Sequence, residues 1–123
     1  METRLTIDVS GLQYWLSGGL LHREDGPAVL TVAGSRHWYY CGKKHRVGGA
    51  ASEYSVGVRQ WYQHGMLHNL DGPAHANSHN GWYEWWVDGA QYDKDSFYTH
   101  PLVVMHRFVN GSVTINQECN AHP

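Results

Sequence analysis

Phenylalanine is nearly missing from this chain: two in 123 residues, beside eight tyrosines and six tryptophans. That scarcity excludes a thick interior built from phenyl rings. It favours a thin layer, in which one end of each ring packs and the polar edge meets water. Charge is sparse as well. Lys, Arg, Asp and Glu together make up 16% of the residues and the formal net charge is -2. The basic excess of a binder that works by general phosphate neutralisation is therefore lacking. No segment approaches the ~20 apolar residues that span a bilayer, and METRLTIDVS lacks the apolar run of a signal peptide. The two cysteines, Cys41 and Cys119, are far apart and without C-x-x-C spacing. With no secretory signal, reduced thiols and a cytoplasmic location are expected. A mass of 14.0 kDa implies one domain, residues 1–123, with a modest core.

What the chain has in quantity is glycine, 14 residues, and it is periodic. Aligned on glycine, GLQYWLSGGLLHREDGPA begins at Gly11, GSRHWYYCGKKHRVGGAA at Gly34 and GVRQWYQHGMLHNLDGPA at Gly57. GWYEWWVDGAQYDKD begins at Gly81, and a degenerate last unit, HRFVNGSVTI, follows near residue 104. The leading glycines are 23, 23 and 24 apart. Three further columns repeat with them: Trp15, Trp38, Trp61 and Trp85; Gly19, Gly42, Gly65 and Gly89; and His22, His45 and His68, with Tyr92 in the fourth place. A repeat of this length marks a stacked supersecondary unit.

Glycines this close together do not suit helices. Short aromatic and branched runs between them read as strands. Cys41-Gly42, His64-Gly65 and Asp88-Gly89 read as tight hairpin turns, and Asp25-Gly26-Pro27 and Asp71-Gly72-Pro73 as loops of a second kind. The expected fold is all-β, with tandem antiparallel β-hairpin repeats of about 23 residues forming an open, curved sheet with atypical ends. A small closed barrel or sandwich is the competing architecture, and the near-constant unit length favours the open stack. Period two puts Trp38 on one face and His37 and Tyr39 on the other. The four Trp residues are expected to form a ladder that serves as the core. An initial strand is expected around Leu5, Ile7 and Val9. After Tyr92 a short helix or cap is expected, then a strand from Val103 to Val109 and a hairpin at Asn110-Gly111.

The unit resembles the MORN-type repeat, and more closely the variant W-Y-x-x-G-x-x-H-R-x-D-G-P-A of small phage and bacterial proteins. Trp15 to Ala28 and Trp61 to Ala74 carry it well. Trp38 to Ala51 has lost Asp-Gly-Pro, and the unit from Trp85 has lost both the His and the Gly-Pro. The resemblance covers roughly residues 11 to 96. It implies β-hairpins used as a scaffold, a lipid-associated module or a protein-binding surface. The phage setting adds antagonism of host defence, in particular inhibition of a CRISPR-type effector.

His22, His45 and His68 are expected to be structural, bonding the Asp-Gly-Pro loops with Asp25 and Asp71 as acceptors. Equivalent side chains on neighbouring strands stand roughly 5 Å apart, too far for three to converge at about 2 Å on one ion. No metal and no cofactor is therefore expected. His64, His68, His75 and His79 form a second group, with helical spacing on a segment that reads as strand and turn. No Ser elbow, phosphate cradle or H-E-x-x-H occurs, so a non-enzymatic role is expected. The candidate binding residues are the aromatic and polar stripe His37, Tyr39, Gln60, Tyr62, Glu84 and Trp86, with a rim of Asp93, Asp95, Phe97 and Tyr98. Tyr and Trp are favoured at interfaces. The expected partner is another protein, such as a host immune nuclease or effector complex, with self-association also open and no membrane. A nucleic-acid-binding or metal-assisted phosphoester hydrolase is the alternative, and a scaffold or virion component a third reading.

Overall fold

Two kinds of reversal alternate along the chain and set every strand. A computed structural model of the protein describes residues 2–109. Its strands are β1 (Arg4–Ile7), β2 (Gln13–Ser17), β3 (Leu20–Leu21), β4 (Val29–Leu30) and β5 (Arg36–His37). Next come β6 (Tyr39–Tyr40), β7 (Lys43–Lys44), β8 (Ser52–Glu53), β9 (Val58–Gln60) and β10 (Tyr62–Gln63). The last are β11 (Met66–Leu67), β12 (His75–Asn77), β13 (Trp82–Val87) and β14 (Ala90–Tyr92), followed by helices α1 (Lys94–Tyr98) and α2 (Pro101–Phe108). One ten-stranded sheet runs in the order β1-β2-β4-β5-β8-β9-β12-β13-β14, with β3 beside β2. β6–β7 and β10–β11 form two small sheets. Every pairing is antiparallel. The fold is strand-rich, with helix confined to its C-terminal end.

The first reversal is a two-residue turn with positive φ at both positions, the geometry that matches the right-handed twist of flanking strands. Cys41 and Gly42 have φ of 52° and 82°, His64 and Gly65 52° and 85°, Asp88 and Gly89 47° and 81°. Glycine fills the second position each time, and Gly18-Gly19 fills both in the first hairpin. The second reversal uses the leading glycines. Gly11, Gly34 and Gly57 donate to the carbonyls of Asp8, Thr31 and Tyr54 three residues earlier, at 3.0–3.1 Å. Gly81 instead donates to Asn77, four residues earlier, at 2.9 Å. That one-residue enlargement of the turn accounts for the interval of 24.

The buried positions differ from those expected. Ala28, Ala51 and Ala74 have 0% exposure, whereas Trp15, Trp38, Trp61 and Trp85 are half-buried. The tight site goes to alanine because strands cross there backbone to backbone. Trp15, Trp38 and Trp61 donate to the carbonyls of Ala28, Ala51 and Ala74 at 2.7–2.8 Å, and those alanines donate onward to His37, Gln60 and Glu84, each at 2.8 Å. The indoles are only half-buried, and among the four Trp85 packs against the apolar cluster. The principal apolar cluster is at the C-terminal end, where Val87, Phe97 and Val103 are packed by Leu70, Trp85, Tyr92 and Tyr98.

α2 replaces the strand expected from Val103 to Val109. Pro101 stands in its first turn, the His100 side chain caps it by accepting from the Leu102 amide at 3.1 Å, and His106 and Arg107 lie in its last turn. Those are start and stop signals for a helix, and they outweigh the β-branched pair Val103-Val104. The hairpin expected at Asn110-Gly111 lies outside the described residues. So does Cys119. The expectation of reduced thiols, which concerns Cys41 and Cys119 together, therefore falls outside the described residues as well. Among the described residues no helix is long and apolar enough to cross a membrane.

Candidate binding face

Register decides which side chains share a face. Tyr14 is opposite Val29, Val29 opposite His37, His37 opposite Ser52, Ser52 opposite Gln60, Gln60 opposite His75, and His75 opposite Glu84. Directly opposed residues point to one side of a sheet, so these seven form a line across it. Hydrogen bonds knit the line. His37 Nδ1 lies 2.8 Å from Ser52 Oγ, and the Gln60 amide nitrogen lies 3.1 Å from His75 Nδ1. Gln60 Oε1 accepts from the Tyr62 hydroxyl at 3.4 Å and from the Tyr54 hydroxyl at 3.5 Å. Glu84 accepts from two indoles, Trp82 Nε1 at 2.8 Å and Trp86 Nε1 at 2.9 Å.

The electrostatics follow from partial burial. His37 titrates below its ordinary range because burial penalises its cation and Lys44 repels it. Burial raises the phenols of Tyr39 and Tyr62, with Tyr54 adding to both. Lys44 Nζ lies 5.2 Å from the centre of the Tyr62 ring. The two indole bonds hold Glu84 below the usual carboxylate range. Near neutral pH the face thus presents the neutral imidazole of His37 and the neutral phenols of Tyr39 and Tyr62, with the Glu84 carboxylate between two tryptophans at one end.

Six of the expected residues, His37, Tyr39, Gln60, Tyr62, Glu84 and Trp86, belong to this region. The rim behaves otherwise. Asp93 caps α1, accepting from the Ser96 amide at 2.8 Å, and Asp95 is exposed in the first turn. Phe97 has 0% exposure and belongs to the apolar cluster, so it offers no surface. Tyr98 packs edge-on against Phe97 and lies under Arg107. Tyr54, His75 and Trp82 complete the face and were missed as members of it by sequence reading, while Lys44, expected as part of a cationic lining beside the aromatic rows, lies near Tyr62. For His75 and Trp82 the signal was there: both fall at the same parity as Glu84 once β12 and β13 are paired.

The histidines of the repeat serve a different purpose from the one expected. His22, His45 and His68 accept through Nδ1 from the backbone amides of Cys41, His64 and Asp88, at 3.0, 2.9 and 2.9 Å. Each donor is the first residue of the next hairpin's turn, so Asp25 and Asp71 are not the partners. Asp25 accepts from Arg23 at 3.0 Å, and Asp71 lies 2.7 Å from His106 Nε2. The residue after each His closes the second kind of loop. Arg23, Arg46 and Asn69 donate to the carbonyls of Pro27, Ala50 and Pro73 at 2.9–3.1 Å. Arg23 and Arg46 also lie over the indoles of Trp15 and Trp38, at 3.9 and 3.7 Å.

His64, His68, His75 and His79 go to four different places. His64 stacks on His45 at 4.2 Å, His68 holds the Asp88 amide, His75 meets Gln60, and His79 is exposed in a turn. Among the described residues no group of three or more His, Cys, Asp or Glu is placed to hold a metal ion. No family model, no curated protein and no solved structure matches the chain.

Proposed function

We propose that this protein is a non-enzymatic protein-binding module built from tandem hairpin repeats of about 23 residues in an open, curved sheet, akin to the MORN-like variant its sequence resembles. The observation that carries the binding role is the register line from His37 to Glu84, with Gln60 bonded to Tyr54, Tyr62 and His75 and, at one end, the Glu84 carboxylate between two indoles. Such a surface joins large, stiff contact area to groups that can exchange hydrogen bonds with a partner. Its side chains already hold one another, so little rotamer freedom is lost on docking.

The specific reading is an inhibitor, encoded by a phage, that occupies a bacterial defence effector of the CRISPR type in the host cytoplasm. That specificity rests on the sequence resemblance and on small size. Capture of partners from host lysate by the tagged chain tests both levels. Binding is expected to fall at least tenfold in Tyr39→Ala/Tyr62→Ala with the circular dichroism spectrum unchanged. A folded double variant that retains every captured protein overturns the face, and capture of no defence component overturns the inhibitor reading alone.

A further inference from the structure

The two ends of the ten-stranded sheet are finished differently. At the β14 end, Tyr92 packs into the cluster of Val87, Phe97 and Val103, and the helices cover that end. At the other end, among the described residues, β1 pairs with β2 alone. Open edges are normally blunted by Lys, Pro, a bulge or a covering element. β1 reads RLTI, without Lys or Pro, and leaves Leu5 49% and Ile7 59% exposed.

The register says which backbone groups are free. The Asp8 amide bonds to the Leu12 carbonyl at 3.0 Å, and hydrogen-bonded and non-bonded pairs alternate along an antiparallel ladder. Thr6 and Arg4 therefore turn their backbone groups toward β2, opposite Tyr14 and Leu16. Leu5 and Ile7 turn theirs outward.

We infer that β1 pairs antiparallel with β1 of a second copy, about a two-fold axis at Thr6. In that register Leu5 lies opposite Ile7 of the second copy, twice, and both supply the outward amides and carbonyls the ladder needs. Thr6 meets Thr6, and Arg4 meets Asp8 of the second copy, twice. Apolar, Thr–Thr and opposite-charge pairs are all favourable cross-strand neighbours. Asp8 is suited to its part: Ser10 and Leu12 bond its Oδ1, its carboxyl is held below the usual range chiefly by the Ser10 hydroxyl, and Oδ2 is left for an arginine. Centring the axis on Leu5 would set Glu2 against Asp8, two like charges, and is disfavoured. Five residues a side, Arg4 to Asp8, make a small interface, so the dimer is weak and concentration-dependent.

Sedimentation velocity on the full chain, over a dilution series reaching the high micromolar range, tests this. A monomer–dimer equilibrium is expected, abolished in Leu5→Lys/Ile7→Lys, whose side chains are exposed enough to leave the fold intact. Thr6→Cys is expected to cross-link into a disulfide dimer under mild oxidation, well above the unsubstituted chain and Leu5→Cys. A chain monomeric throughout overturns the proposal. So does a dimer that survives the lysine variant, or one that cross-links better through Leu5→Cys. Growth beyond a dimer does so too, since it means a head-to-tail contact.

Discussion

His45 Nδ1 accepts a 2.9 Å hydrogen bond from the backbone amide of His64, the first residue of the next hairpin turn. The same bond links His22 to Cys41 and His68 to Asp88. A side chain at one place in the unit thus holds the tight turn of the following unit, and this explains why His recurs at that interval.

Replacing these acceptors should cost stability in proportion to their burial. His45 has 5% exposure, and His45→Ala leaves a turn amide without its acceptor, at a cost of about 1–3 kcal/mol. The His68 side chain is 16% exposed and its donor lies at the surface, so water replaces it more readily and His68→Ala should cost less. Urea unfolding midpoints of the two variants check the order.

The loop glycines offer a cleaner test. A Cβ on Gly49 would lie 2.8 Å from the guanidinium carbon of Arg46, whereas one on Gly72 would meet nothing within 4 Å. Gly49→Ala should displace the guanidinium from Trp38 and from the Ala50 carbonyl and lose about 1–2 kcal/mol. Gly72→Ala should be neutral, or stabilising by up to about 1 kcal/mol through the unfolded chain. Combining Gly49→Ala with Arg46→Asn, the residue the third unit uses, should remove most of the penalty in a double-mutant cycle.

Acidification should weaken the fold before carboxylates titrate. The folded values of His68 and His37 lie below their ordinary 6.5, in both cases chiefly through burial. The unfolded chain therefore binds more protons in the window between the folded values and 6.5, and stability rises with pH there. Their contribution is full above 6.5 and is lost as pH falls through the folded values. Thermal midpoints measured from neutral pH down to about pH 5.5 should fall, and His37→Gln/His68→Gln should flatten that part of the slope.

Glu84 gives an optical readout of the proposed binding face. Its carboxylate holds the indoles of Trp82 and Trp86, and Glu84→Ala should free both, shifting tryptophan emission to the red with secondary structure retained. In the unsubstituted chain that shift should appear only when pH falls below the usual 4.5 of glutamate, since the indole bonds depress the value. A shift complete above 4.5 would contradict the assignment.

Phe97 tests the C-terminal cap. It stands on α1, fully buried with Val87 of β13 and Val103 of α2, and Phe97→Ala should cost about 3–5 kcal/mol. Thermal unfolding followed by circular dichroism reads the loss.

Much of the strand layout was legible in the chain, because it is written in local chemistry. Turn glycines at near-constant intervals announce reversals: a two-residue turn with positive φ admits few residues, and the pairs at Cys41-Gly42, His64-Gly65 and Asp88-Gly89 satisfy it. Alternation placed His37 apart from Trp38 and grouped the polar stripe. α2 was missed because β-branched Val103 and Val104 read as strand, although Pro101 and the basic last turn spoke for helix.

The rest depends on which segments meet in space. Sequence alone determined the strand-rich, antiparallel character of the fold and the tight turns at Cys41-Gly42, His64-Gly65 and Asp88-Gly89. Tertiary structure decided that alanine takes the fully buried position while tryptophan stays half-buried, that each repeat histidine reaches forward to the next turn, and that Gln60 meets Tyr54 and His75. Those outcomes are set by backbone approach and hydrogen-bond direction between segments 6 to 20 residues apart, joined across turns and neighbouring strands, where side-chain periodicity along one strand carries no information.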